Sequence, residues 1–519
     1  GTGLNNNVNG HLARVTVRDS SGLIIAGKEA PFDVVDNWWK VMQLASLNGS
    51  SAASPGAPSS VSRRSDVEIQ KSVEGMRKWG FNTFEVYHYA PPWELNPAGD
   101  LWEDIDYPGR FIGRDRVVEW GNALHAQGMK YLAYNETSAI QAPEEMQVRW
   151  KDSGEVWRQY YGNKGYFVPN LNFLSQRWED ENIAAINAFD FDGVLMDSAY
   201  ALGRNVVQYC DDNNGDPMPQ YPSVGDYMHN WLGPAKTNVR AEKNSFAYVS
   251  QNAWPLVTDA IKEPLDDVYN NVLAAANSQD VWPYNNDVDV WSIEWDSVLT
   301  PSESYPQEYD RMAVIMTSLS EVVGKPVLQW AFLTTSATSD IAYIRPKMAT
   351  YLAARLRVHD HQNFYEGLLN PSSQDQADSL QFAQYLRFQA RYSYYLDHPD
   401  LHLIQQPENS YFTLSASKAL FWNRTVYHRL DGERHEYIIN ALNLPSNNLI
   451  ENQTEIPPTA TNVSLGVKKS IGHYDVFCLD ADDAVLVPIS VTMSSEDDSH
   501  RYYSLPPVRS WQVLVLKEK

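Results

Sequence analysis

Apolar and polar positions change their period twice along this chain, which divides it into three regions. Over residues 11–35 they alternate in twos, in Ala13-Arg14-Val15-Thr16-Val17 and Leu23-Ile24-Ile25-Ala26 about a turn at Ser20-Ser21-Gly22, and this predicts short strands. Ser, Ala, Gly and Pro then dominate from Ser46 to Ser65, a stretch with too little apolar surface to bury, read as a loop or boundary. From Asp66 the period becomes mixed. Val67, Val73, Met76 and Trp79 stand near helical spacing, Gly80 ends that helix, and Asn82-Thr83-Phe84-Glu85-Val86-Tyr87 reads as a strand. The unit repeats: a helix over 115–127 closed by Gly128 precedes the strand Met129–Tyr134, and a helix over 179–189 precedes the strand ending at Asp197. An apolar run at 272–276, a strand ending at Glu294, a helix near 307–323 and the strand Pro326–Phe332 follow.

Strands alternating with helices for more than 300 residues predict a parallel (β/α)8 TIM barrel over 61–404. Residues 1–60 form an N-terminal β segment, a partial β-sandwich. Past residue 405 short strands such as Glu436–Asn440 and Trp511–Leu516 lie between Pro- and Asn-rich turns, so 405–519 reads as a C-terminal antiparallel β-sandwich. No internal repeat or long low-complexity tract interrupts this order.

Composition narrows the partners. The 519 residues carry a formal charge of −24, which repels phosphate backbones and anionic membrane surfaces, so neither nucleic acid nor membrane is an expected partner; a neutral polysaccharide or oligosaccharide is. No apolar stretch reaches the length of a bilayer span, and the sequence opens without a charged-then-apolar leader. Cys210 and Cys478 lack metal-type spacing, which excludes a thiolate zinc site; two free thiols are expected, with a single disulfide as the alternative. Sequons begin at Asn48, Asn135, Asn423, Asn452 and Asn462, but in an Asn-rich chain they do not decide the compartment. Few cysteines, low charge density and many aromatics suggest a secreted, monomeric protein.

Two carboxylates end strand-like runs: Asp197 in Phe191-Asp192-Gly193-Val194-Leu195-Met196-Asp197, and Glu294 in Asp289-Val290-Trp291-Ser292-Ile293-Glu294. Residues at the carboxyl ends of barrel strands face the catalytic side of that fold, and paired carboxyls there suit glycosidic bond cleavage. One group attacks or stabilises the anomeric carbon while the other protonates the leaving oxygen. Glu294, between Ile293 and Trp295, has the apolar setting of a general acid; Asp197, followed by Ser198 and preceded by a chain-turning Gly193, suits the anion. The competing reading for each is a helix cap or an Arg-paired loop carboxylate. Asn135 and Glu136 end the preceding strand and could bind sugar hydroxyls. Tyr87, Tyr89, Trp93, Trp295 and Trp330 are candidate stacking surfaces, although most Trp residues in a barrel fill core space. His359-Asp360-His361 lacks a third metal ligand, which leaves His359 as a sugar-hydroxyl contact. Asp211–Asp216 resembles a calcium loop, but Tyr221 stands where its bidentate Glu belongs, so no metal and no cofactor is expected.

Ala30–Trp38, Gly80-Phe81-Asn82, Phe191-Asp192-Gly193 ahead of Asp197, Asp287-Val288-Asp289 before Glu294-Trp295, and Gly324–Leu328 resemble, in order, the landmarks of glycoside hydrolase family 66. That family contains endo-dextranases and cycloisomaltooligosaccharide glucanotransferases. The resemblance implies an N-terminal β-sandwich, a (β/α)8 barrel and a C-terminal β-sandwich, with the Asp nucleophile on Asp197 and the Glu acid/base on Glu294. It implies a retaining endo-hydrolase of α-1,6-glucan. The alternatives are transglycosylation to cyclic or elongated products, hydrolysis of another α-glycan, and a carbohydrate-binding barrel without activity. Three departures stand out: few N-terminal strands, a long stretch between the two carboxylates, and Leu195, Met196 and Ser198-Ala199 where the family carries Trp and Gly around the nucleophile.

Overall fold

A computed structural model describes residues 10–47, 64–87, 89–90, 94–103, 111–136, 149–154, 158–161, 164–167, 171–197, 210–211, 224–251, 282–293, 305–311, 313, 316–330, 341–360, 373–404, 410–445, 456–483 and 487–519. Local chemistry sets its first repeat unit. Ser65 and Glu68 form a capping box at the start of the helix Asp66–Trp79, its buried stripe carries Ile69, Val73 and Met76, and Gly80 ends it at φ 102°, a left-handed conformation that costs glycine little. The chain then turns into a strand.

Eight parallel strands close the barrel: β1 (Leu44–Leu47), β2 (Thr83–Val86), β3 (Lys130–Glu136), β4 (Gly193–Asp197), β5 (Ala247–Gln251), β6 (Val290–Ile293), β7 (Val327–Trp330) and β8 (Arg357–Asp360). Each pairs with its sequence neighbours, and β8 closes on β1 through His359 opposite Leu44. Alternation separates two faces. Phe84, Val86, Ala133, Val194, Met196, Tyr248, Trp291, Val327 and Val358 join the core shared with the helices. Leu44, Leu132, Leu195, Val249, Val290 and Leu328 form a second cluster inside the ring.

The first barrel strand lies inside the stretch read as an N-terminal segment, so the barrel begins before residue 61. N-terminal to it, among the described residues, His11–Arg18 and Ile24–Phe32 make one antiparallel hairpin instead of a sandwich, tied to the helix Ser373–Leu396 where Arg391 donates to the Gly10 carbonyl. At the other end, sheets of six and four antiparallel strands face each other across a buried cluster that includes Phe412, Val426, Leu465, Val476 and Leu514. Trp511 carries this domain onto the barrel, its ring 4.9 Å from that of Phe388. The helix expected near 307–323 is described as two pieces, Tyr305–Arg311 and Thr317–Val323, and the apolar run at 272–276 lies outside the described residues. No described helix is long and apolar enough to cross a membrane. Cys478 is a free, buried thiol, and burial pushes it up to about 12.

Gly193 does not turn the chain. It opens β4, and a Cβ there would sit 2.6 Å from the Ala247 carbonyl oxygen and 2.8 Å from Leu132 Cδ2, so the residue is small because two neighbouring strands pass close by. Asp192, one residue earlier, fastens the same strands from below. It accepts from the Tyr131 backbone N–H at 3.1 Å, from Lys130 Nζ at 3.1 Å, and contacts His125 Nε2 at 2.8 Å. Burial opposes its charge, but His125, Lys243 and Lys130 outweigh that and hold the carboxyl at about 2. A carboxyl lowered from 3.8 to about 2 stabilises the fold above pH 3.8 and loses that contribution as pH falls through about 2, worth about 2 kcal/mol. In urea unfolding, Asp192→Asn should therefore cost about 2 kcal/mol at pH 7. The difference from wild type should shrink between pH 4 and pH 2, and a difference independent of pH would remove the charge from the explanation.

Candidate active site

The carboxyl end of the barrel gathers polar side chains that three successive strands supply. Asp197, the last residue of β4, is half-buried and stands in register with Glu136, the last residue of β3. Tyr134, two residues before Glu136 and thus on the same face of β3, donates its hydroxyl to Asp197 Oδ2 at 2.6 Å. Tyr87, just past β2, lays its ring 4.4 Å from that of Tyr134. Both rings rest on the apolar cluster inside the barrel, so the phenol that meets Asp197 is held in place by packing on one side and by the carboxylate on the other.

Glu85, Ser292, Trp330 and His359 meet inside the ring on β2, β6, β7 and β8. His359 Nε2 lies 3.1 Å from Glu85 Oε2 and 3.2 Å from the Trp330 indole nitrogen, and its Nδ1 is 3.4 Å from Ser292 Oγ. Glu85 and His359 are fully buried. Burial pushes the imidazole down to about 3, so it is neutral at ordinary pH. The Trp330 indole N–H donates to Nε2, so Nε2 is the accepting nitrogen of the neutral ring and its proton sits on Nδ1, toward Ser292 Oγ.

Exposure sorts the residues expected from the sequence. Asp197 and Tyr87 are partly open to solvent. Tyr89 is not a stacking surface: it is fully buried among Phe189 and Phe191, and its hydroxyl donates to the Leu95 carbonyl at 2.9 Å. Asn135 is 1% exposed and alternates with inward-facing Tyr134, so it offers no surface at the barrel mouth. Trp330 is 3% exposed with its indole turned to His359, and His359 itself has no accessible surface; both belong to the barrel interior instead of contacting a ligand directly. Glu136 has a described backbone, while its side chain, together with Trp93, Glu294 and Trp295, lies outside the described residues, as does the loop from Asp212 to Asp216. Among the described residues no group of three or more His, Cys, Asp or Glu could hold a metal ion.

Sequence reasoning missed Tyr134, Glu85 and Ser292. Glu85 had a signal, since a carboxyl between Phe84 and Val86 on a strand must point opposite to both, into the ring. Nothing local marks Tyr134, whose partner is 63 residues away.

No family model matches this chain, and no curated protein does. Solved structures share its fold. A cycloisomaltooligosaccharide glucanotransferase from Paenibacillus sp., complexed with cycloisomaltoheptaose, superposes with a TM-score of 0.68 at 13% identity over 98% of this chain and 89% of its own. A trehalose-6-phosphate hydrolase from Bacillus licheniformis reaches 0.52 at 9% identity, covering 93% of this chain and 100% of its own. An α-amylase from Anoxybacillus reaches 0.51 at 10% identity, over 93% and 99%. These proteins act on sugars by name, and at such identities what they share with this chain is the barrel with its C-terminal β domain.

Removing one member of the buried pair tests how the barrel interior is held. Glu85→Ala leaves the neutral His359 facing a cavity without its carboxyl, and we expect a loss of about 1–3 kcal/mol in denaturant unfolding. Glu85→Gln keeps the shape and a polar group beside His359 and should cost less than half of that. Equal losses would mean that the carboxyl itself, and not side-chain volume, is what the site requires.

Proposed function

We propose that the protein is a retaining endo-glycosidase that cleaves α-1,6-glucan such as dextran, with Asp197 as nucleophile and Glu294 as acid/base. The observation that carries this reading is Asp197 itself: a half-buried carboxyl at the catalytic end of a closed barrel, oriented by the Tyr134 hydroxyl. Glu294 follows Ile293, the last residue of β6, two strands along from β4. In the mechanism, Asp197 attacks C1 while Glu294 gives its proton to the departing oxygen; water, deprotonated by Glu294, then breaks the glycosyl ester. A retaining enzyme would set the two carboxyls about 5–5.5 Å apart. Tyr87 remains as a stacking surface, joined by Trp93 and Trp295 from the loops. The acidic surface and the neutral polymer fit a secreted monomer that needs no metal.

A second reading, transglycosylation, is favoured by the likeness to a glucanotransferase. It uses the same ester with a sugar hydroxyl in place of water. The chain leaves no segment long enough for the large inserted carbohydrate-binding module expected of cyclising members, which favours hydrolysis.

Asp197→Asn and Glu294→Gln should each lower turnover of polymer by about 10²–10⁴-fold with the fold intact. With a glycosyl fluoride, whose leaving group needs little protonation, the Glu294 variant should still be glycosylated and the Asp197 variant should not. Near-wild-type turnover in either variant would remove that residue from the mechanism.

Products decide the substrate. Dextran cut internally gives a ladder of short linear isomaltooligosaccharides and an early fall in viscosity. Cyclic products would establish transglycosylation, and one uniform small sugar with little loss of viscosity would establish action from chain ends. Complete inertness toward a panel of α-glucans would leave a binding barrel.

A further inference from the structure

Asp197 reaches the barrel mouth between two strands that act on it differently. On β3, Tyr134 stands opposite Leu195 and Glu136 opposite Asp197, so by alternation these four residues share the inward side of the ring. On β5, alternation from the inward Val249 makes the uncharged Gln251 the neighbour. Glu85, opposite Leu132, lies deeper in the ring with the neutral His359. Among the described residues, the flanking strands therefore set beside Asp197 one residue of like charge, Glu136, and one donor, the Tyr134 hydroxyl at 2.6 Å from Oδ2. Like charges on neighbouring strands oppose each other, whereas a donor to the charged form favours it.

The phenol has little freedom to do anything else. It is 3% exposed, its ring meets that of Tyr87 at 4.4 Å, and it packs in the inner cluster with Leu132 and Leu195. A hydroxyl fixed in this way holds Oδ2 in one place before substrate arrives, so no ordering is left for the moment of reaction. It also makes the two carboxylate oxygens unequal. An oxygen that already accepts a short, charge-assisted hydrogen bond is the poorer nucleophile of the two.

We propose that Tyr134 is the positioning residue of the nucleophile: its hydroxyl assigns Oδ1 of Asp197 to the attack, keeps Oδ2 as the carbonyl oxygen of the ester, and favours the charged carboxylate beside Glu136. This rests on the reading of Asp197 as nucleophile. As Oδ1 bonds to C1, the electron pair of the scissile bond leaves with the departing oxygen, which takes the proton of Glu294. In the second half, the oxygen of water bonds to C1, its proton goes to Glu294, and the electron pair returns to Oδ1. Tyr134 keeps its own proton throughout. Its donor meets the charge that re-forms on the carboxylate, so both halves of the reaction depend on it.

Tyr134→Phe keeps the ring and its packing on Tyr87 and removes the donor alone. On dextran, kcat should fall about tenfold to a hundredfold with KM within about twofold of wild type, because the phenol is too buried to hold sugar. The acid limb of kcat/KM should move up by about one pH unit, since the variant has lost a hydrogen bond to the charged form; a tyrosine that only fills space would leave that limb in place. A measurement without substrate decides the matter even if no glucan is turned over. In denaturant unfolding, wild type should be the more stable at pH 7, and its advantage over Tyr134→Phe should shrink as pH falls through the carboxylate range, where a neutral carboxyl accepts the bond more weakly. An unchanged kcat and acid limb in Tyr134→Phe, or an advantage that ignores pH, overturns the role of Tyr134, and the nucleophile still stands if Asp197→Asn is inactive. Near-wild-type turnover in Asp197→Asn removes the nucleophile and this role with it.

Discussion

Closure of the eight-stranded ring is the constraint on which everything else depends, because it removes the inward side chains from bulk water and forces them to satisfy one another. Apolar residues solve this at one level, where Leu44, Leu132, Leu195, Val249, Val290 and Leu328 pack together. Polar residues have to solve it by pairing. Glu85, His359, Trp330 and Ser292 come from four different strands, so their mutual distances report the registers of all four. A slip of one residue in any of them would turn its polar group out among the helices, which makes this cluster a specification of register as much as a source of stability.

The same reasoning explains what could be read from the sequence. Strands β2, β3, β4, β6 and β7 are rich in β-branched and aromatic residues, and their positions were legible. Three escaped: β8 is polar at three of its four positions, Arg357, His359 and Asp360, β5 ends in Ser250 and Gln251, and β1 holds Ser46. A short strand in which polar residues predominate or close the run looks like a loop in the sequence, and β1 is disguised by the Ser-rich stretch that follows. Asp197 was legible because strand end and carboxyl coincide. Aromatic side chains near strand ends were harder, since the sequence does not say whether a ring faces the mouth or the core. Tyr87 and Tyr89 are two residues apart, yet one borders the mouth and the other anchors a turn from beneath.

The C-terminal domain is joined to the barrel by contacts that also lie far apart in sequence. Arg429 places its guanidinium 3.6 Å from the Tyr394 ring centroid and donates to the Tyr394 carbonyl, while its other nitrogens bind Glu436 at the heart of the six-stranded sheet. An ion pair this buried adds little net stability over an apolar pair of equal size, but breaking it would strand a charge. Its stronger effect is on geometry, because a planar guanidinium held on three sides leaves the sheet one way to dock on the helix Ser373–Leu396.

That docking bears on both ends of the barrel. The helix leads through Asp397 and His398 into Leu401, whose carbonyl holds Arg355, and from there the chain enters the C-terminal sheet at His402. Arg355 and Arg357 flank the entry to β8, and β8 carries His359 two residues further into the ring. A shift at the amino end of β8 would therefore move His359 relative to Glu85 and Trp330, three residues whose buried contacts tolerate little displacement at 3.1–3.2 Å. Trp330 closes β7, the strand paired with β6, and β6 is the strand after which Glu294 follows. The path from the turn that enters β8 to the end of β6 is thus a short run of packed strands, and rigid packing of that kind is what lets one face of a barrel hold the geometry of the other.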